Sequence, residues 1–260
     1  MQSGSEISKD MLNIISSELD ELETSEDVRV LFAVESGSHA WGFASSDSDY
    51  DVRFVYARKP AWYMRLDKTR DVIEWKLDDV LDISGWDIQK ALRLMRESNP
   101  SLMEWVSSPI FYRPLADEKI SVLADKSFDP VKSCHHYLSM AKGNVRDHLE
   151  GDTVKLKKYF YVIRPILAAR HVLAQRTQPP MLFDDLVNEC LDERLVPTVQ
   201  ELLDMKRSSD ETLYIPRCEE LNAWIYDSLE KLEGRVHDLP RSEKRSWGEY
   251  NELFLDLVDF

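Results

Sequence analysis

The stretch VESGSHAWGFASSDSDYDVRFVY, residues 34–56, constrains this chain more than any other part of it. Gly37 and Gly42, two of only eight glycines in 260 residues, stand five positions apart, and Asp47, Asp49 and Asp51 alternate directly before an apolar run. The run VRVLFAV (28–34) reads as a buried strand leading into the glycines, and DVRFVYA (51–57) as the strand that follows. Gly37 can adopt positive φ and let the backbone approach closely, so that amide N–H groups and the Ser38 hydroxyl point at phosphate oxygens, while Gly42 permits the next turn. Taken alone, GSHAWG would be a tight turn; the aspartates change that reading. Asp49 and Asp51 are two apart in a strand and project from one face, an arrangement that is costly unless a cation compensates it. Magnesium, a hard ion held by one or two carboxylates and substrate phosphates, suits the pair, and Asp47 is left as a turn residue.

Two competing motifs fail on the letters. A calcium-binding EF-hand loop starting at Asp47 needs glycine at its sixth place and glutamate at its twelfth, where this chain has Val52 and Arg58. A phosphatase of the Asp-x-Asp type presents its pair after an apolar strand, whereas here VRFVY comes after the pair.

Upstream, Ile7, Met11, Ile15, Leu19 and Leu22 recur at helical spacing. Downstream, DVIEW (71–75) and VLDISGW (80–86) read as strands of a hairpin, and residues 87–97 as a helix with Ile88, Ala91, Leu92 and Met95 on one face. Asn99 and Pro100 read as the cap and first turn of another helix. From SSPIFYRPLADEK onward the remainder reads as helices only, with stripes Val131/Cys134/Leu138/Ala141/Val145/Leu149, Leu221/Ile225/Leu229/Leu232 and Trp247/Tyr250/Phe254/Leu257. The expected fold class is therefore α+β, with a sheet-containing domain over residues 1–115 and a helical domain over 116–260.

Composition narrows the function classes. A net charge of −15 argues against wholesale attachment to nucleic acid, yet residues 153–178 hold no acid and carry Lys155, Lys157, Lys158, Arg164, Arg170 and Arg176, a natural anion site. The most apolar window, YFYVIRPILAA, is short and contains Arg164, so no membrane span is expected. Three scattered cysteines, Cys134, Cys190 and Cys218, form neither a disulfide framework nor a zinc motif and fit a cytoplasmic protein. His135 and His136 are adjacent and cannot share one helix stripe, and His148 and His171 stand without a surrounding pattern.

Gly-Ser, ten intervening residues and then DYDV resembles the signature of the DNA polymerase β nucleotidyltransferase superfamily, and the wider context resembles its RlaP type, whose name reflects an association with RNA ligases. LDISGWDIQKALRLM, SNPSLMEWVSSPI, HYLSMAKGN and VKLKKYFYVIRPILAAR extend the resemblance, while His39 stands where arginine is expected. The resemblance implies a nucleotidyltransferase fold and transfer of a nucleoside monophosphate from a triphosphate such as ATP to a hydroxyl, with RNA as an acceptor, in an RNA repair setting. It also implies magnesium or manganese held by Asp49, Asp51 and a third carboxylate on a neighbouring strand. Asp82, inside an apolar run where a lone acid is expensive, is the first choice, with Glu74, Asp71 and Asp87 as alternatives. One ion would grip the triphosphate and a second would activate the acceptor hydroxyl, with Asp82 able to serve as general base and Arg53 balancing the carboxylates. The implied helical domain closes over the nucleotide, and Lys157, Tyr161 and Arg164 share a helical stripe on which a tyrosine could stack between two phosphate-binding cations. Pro165 is expected to kink or restart that helix. A protein or small-molecule acceptor, or a nucleotide-binding regulatory protein without chemistry, are the alternatives.

Overall fold

The computed structural model describes residues 7–237, 239 and 245–260. In chain order the elements of the first half are α1 (Lys9–Glu26), β1 (Arg29–Ser36), α2 (Gly37–Ala40), β2 (Tyr50–Ala57), α3 (Pro60–Tyr63), β3 (Val72–Leu77), β4 (Leu81–Asp87), α4 (Ile88–Arg96), α5 (Pro100–Val106), β5 (Phe111–Arg113) and α6 (Lys119–Ser127). They are followed by α7 (Pro130–His148), β6 (Thr153–Lys155), α8 (Leu156–Gln175), α9 (Phe183–Cys190), α10 (Val196–Arg207), β7 (Tyr214–Pro216), α11 (Glu219–His237) and α12 (Gly248–Val258). The fold is α+β, with a mixed five-stranded sheet flanked by helices.

The chain divides into two compact units. The first comprises the described residues within Met1–Ala40, Asp49–Ser127 and Lys244–Phe260. Its sheet has the order β3-β4-β2-β1-β5, with β2 and β4 parallel and the other neighbours antiparallel. Alternation along the strands fills two cores. Ala33, Val52, Phe54, Ile73 and Ile83 pack with Ile15, Leu19 and Leu22 of α1, while Phe32, Val34 and Val55 join residues of α4, α5, α6 and α12. The helices begin where short polar side chains can take up free backbone N–H groups. Ser8 Oγ accepts from Met11, Asp87 from Gln89 and Asn99 from Leu102, with Pro100 in the first turn of α5.

The second unit comprises Trp41–Ser48 and the described residues of Phe128–Glu243. α8 is its central helix, buried along most of its length among residues from α7, α9 and α11, and β6 pairs with β7 in a two-stranded ribbon. α8 runs through Pro165 as one element rather than restarting there.

Three features depart from the sequence reading. Beyond residue 107 the chain is not purely helical: β5, β6 and β7 are each three residues long, too short for a period-2 pattern to show against flanking helical patterns. The change of period near residue 115 falls between β5 and α6, but the first unit continues to Ser127 because α6 buries Ile120, Leu123 and Ala124 in the same core as α4 and α5. α12 also belongs to the first unit, with Tyr250, Leu253 and Leu257 buried there and Trp247 left 45% exposed.

Candidate active site

β1 delivers the chain to Gly37, whose φ of 67° and bare Cα both matter. A Cβ at this position would lie 2.1 Å from Asp51 Oδ2 and 3.0 Å from its Cγ, so Gly37 makes room for the Asp51 carboxylate. Ser36 pairs with Asp51 across the antiparallel β1–β2 ladder, which sets that contact. On the other side, the parallel β2–β4 register pairs Asp51 with Asp82. Arg53, two residues along β2, sits between the two acids: its guanidinium donates to Asp51 Oδ1 at 2.8 Å and to Asp82 Oδ2 at 2.6 Å. It also donates to the Asp82 carbonyl oxygen at 2.8 Å. All three side chains keep some solvent contact, so this is a charged site open to water.

Glu35, the penultimate residue of β1, is an acid that sequence reasoning missed. Its side chain is fully buried. One carboxylate oxygen accepts the Asp51 backbone N–H at 3.0 Å and the other accepts the Tyr112 hydroxyl at 2.5 Å, while its carbonyl oxygen accepts from Ser108 Oγ. Burial pushes the Glu35 carboxyl up to about 8, against the lowering effect of its two hydrogen bonds, and the Asp51 charge adds to the rise. Burial and Glu35 in turn push the Tyr112 hydroxyl upward. The available signal was an acid two residues ahead of Gly37, at the end of an apolar run, a position that demands a partner.

The other candidates separate into those the sheet gathers and those it does not. Ser38 and His39 are buried in α2, and the His39 ring stacks on Tyr50 at 4.4 Å between centroids with planes 9° apart. Asp49 precedes β2 and is exposed, and the three aspartates are not a set of donors lying within 4.8 Å of one another. Glu74 lies on β3 opposite Ser84, and Asp71 precedes β3. Asp87 is spent on the α4 cap and on the Tyr63 hydroxyl, and burial raises its carboxyl. Asp82 is thus the acid that the parallel register puts beside Asp51.

Lys157, Tyr161 and Arg164 gather in the second unit around residues of the segment 41–48. Lys157 Nζ pairs with Glu211 Oε2 at 2.5 Å, and Ser48 Oγ donates to the other oxygen of Glu211 at 2.6 Å. Burial works against the charge on Glu211, but Lys157, Ser48 and Lys206 together hold its carboxyl below the ordinary range. Arg164 is buried, its guanidinium 4.3 Å above the Trp41 ring, and Tyr161 meets the same ring edge-on at 5.9 Å. The segment is further held by the Phe183 N–H to the Trp41 carbonyl, by Arg207 to the Gly42 carbonyl, and by Lys206 Nζ to Ser45 Oγ. Lys157 and Arg164 therefore have internal partners as well as their predicted potential to bind phosphate.

A family model described as "RNA repair pathway DNA polymerase beta family", RlaP, matches residues 11–256. The chain belongs to the RlaP family. A relative of similar length, "Uncharacterized protein YcgL" of Bacillus subtilis (strain 168), is 43% identical over 245 residues, covering 93% of this chain and 94% of the relative. A structural comparison aligns the chain with the crystal structure of a nucleotidyltransferase-like protein from Exiguobacterium sibiricum 255-15, at 15% identity and a TM-score of 0.28, over 94% of this chain and 88% of that one. The RlaP match spans both units, so the Gly37/Asp51/Asp82 cluster and the α8 segment lie within one family-wide pattern. No helix among the described residues is long and apolar enough to cross a membrane.

Proposed function

We propose that this RlaP protein is a metal-dependent nucleotidyltransferase that moves a nucleoside monophosphate from a nucleoside triphosphate to the terminal hydroxyl of an RNA. The in-register Asp51–Asp82 pair beside Gly37 is the observation that carries the reading. Such a pair, opened to solvent and matched by one guanidinium, is an all-oxygen donor set of the kind magnesium or manganese takes. Asp51 and Asp82 would hold the ion, with exposed Asp49 joining from just before β2. When bound, the metal supplies charge neutralisation at the triphosphate and acidification of the acceptor hydroxyl.

The rest falls to the chain. Gly37 keeps the Asp51 carboxylate close to the backbone of the Gly-Ser turn, whose N–H groups and Ser38 hydroxyl are suited to phosphate oxygens. Glu35 and Tyr112 fix the main chain of Asp51 from behind, so that its carboxylate is presented in one place. Asp82 is the group suited to take the proton of the attacking hydroxyl, and Arg53 is the cation suited to balance the two acids. Pyrophosphate leaves as the hydroxyl oxygen attacks the α-phosphorus. RNA as acceptor rests on the family's printed description.

The test is to incubate purified protein with each α-labelled nucleoside triphosphate, magnesium, and RNA, protein or small-molecule acceptors, alongside Asp49→Asn and Asp51→Asn. Label on RNA, lost in both variants, is expected. Label on another acceptor refutes RNA as the substrate, and triphosphate binding without transfer in any condition refutes the enzyme. Full transfer by Asp51→Asn refutes the metal-site assignment.

A further inference from the structure

A second donor cluster stands on α8 and α9 of the second unit. A ring nitrogen of His171, a carboxylate oxygen of Glu189 and Sγ of Cys190 all lie within 4.8 Å of one another. His171 is 7% exposed, and both of its nitrogens are engaged: Nδ1 lies 2.9 Å from Glu189 Oε2 and Nε2 lies 3.2 Å from Thr177 Oγ1. Cys190 is a free, half-buried thiol. We propose that His171, Glu189 and Cys190 bind a divalent transition ion of the zinc class, clamping the end of α9 to α8.

The donor chemistry selects the ion. A nitrogen, a carboxylate oxygen and a sulfur form a mixed set that zinc and cobalt accept and that magnesium does not. Tetrahedral coordination at zinc distances puts neighbouring donors about 3.3–3.6 Å apart. The His171–Glu189 separation is already short of that, and Cys190 Sγ, within 4.8 Å of both, has to close by no more than about 1.5 Å, within reach of a side-chain rotation. With an ion bound at Nδ1, Nε2–H can donate to Thr177 Oγ1, the outer hydrogen bond that orients a metal-binding imidazole. The nearby cation Arg170 is paired with Asp192 and donates to the main-chain carbonyl of Cys190, so it does not occupy the thiol. Binding releases the thiol proton to solvent as the thiolate–metal bond forms. Half of the Glu189 side chain is exposed, leaving the fourth position to water. The clamp would steady α9, whose first residue, Phe183, holds the Trp41 carbonyl of the glycine-motif segment.

Cobalt(II) gives the decisive readout, because a thiolate ligand produces a near-ultraviolet charge-transfer band that the aspartate site cannot produce. The full chain, stripped of metal, is titrated with Co2+ and then with Zn2+. A band that saturates at one equivalent, is displaced by zinc, and is absent in Cys190→Ser is expected. The same loss in His171→Asn, with circular dichroism showing both variants folded, supports the imidazole ligand. No band in the unaltered protein, or a band that survives in Cys190→Ser, overturns the site and leaves a plain His171–Glu189 hydrogen bond.

Discussion

Replacing Gly37 by alanine tests the geometry that links the glycine motif to the carboxylates. Two costs follow from the structure. The φ of 67° puts a non-glycine residue in the left-handed region, worth about 1–2 kcal/mol. The new Cβ would also sit 2.1 Å from Asp51 Oδ2, so the Asp51 side chain must swing away and give up its contact with Arg53. A charge-assisted hydrogen bond of this type contributes about 1.5–3 kcal/mol, and the 25% exposure of the Asp51 side chain favours the lower end. The sum is about 2.5–4 kcal/mol, a drop in thermal midpoint of about 5–15 °C for a protein of this size. The two costs separate in a double-mutant cycle with Asp51→Ala, which removes the obstructing carboxylate. Gly37→Ala should cost about 1–2 kcal/mol in the Asp51→Ala background, only the backbone part. Thermal unfolding of the four proteins, without divalent metal, gives the coupling energy. Equal costs of Gly37→Ala in both backgrounds would refute the claim that Gly37 exists to make room for Asp51.

Three further expectations follow from the same site and its surroundings. Glu35 keeps its proton in the folded state up to about 8 against an ordinary 4.5, so the stability its neutral form contributes is complete below 4.5 and is lost as pH rises through 8. Glu35→Gln mimics that neutral form, and its thermal midpoint should hold steady from about pH 5 to pH 9 while the unaltered protein declines; parallel decline of both would sink the idea. Arg53→Met leaves Asp51 and Asp82 without their shared guanidinium, which should cost about 1–3 kcal/mol in metal-free buffer and be recovered on adding magnesium, read as a thermal shift against magnesium concentration. Cys134 is fully buried, with its thiol pushed up to about 11, so alkylation followed by mass spectrometry should label it at mildly alkaline pH only after unfolding.

Local signals carried most of the first 115 residues. The caps at Asp87 and Asn99, the α4 face and the β3–β4 hairpin are written in neighbouring residues, and Asp82 stood out as an acid inside an apolar run. What pairs with what was not written locally. The register that sets Asp82 beside Asp51 depends on a parallel pairing between strands separated by α3 and β3, and no spacing rule encodes it. Glu35 was hidden because its explanation, Tyr112, lies 77 residues away on a three-residue strand. Lys157 looked like a free cation because Glu211 is 54 residues distant. Periodicity marks which face of a helix is buried, but not which unit buries it, which is why α12 read as part of the helical domain.

That last helix has a consequence for how the chain is made. Arg29, at the start of β1, donates to the Leu257 carbonyl, a contact spanning 228 residues. During synthesis the second unit's main segment emerges whole before the final residues of the first unit leave the ribosome. The sheet must therefore wait, its α4–α6 face incompletely covered, while the helical unit can already close around α8. Long-range contacts of this kind slow folding, so the sheet's apolar face should be the region that a nascent-chain chaperone finds exposed.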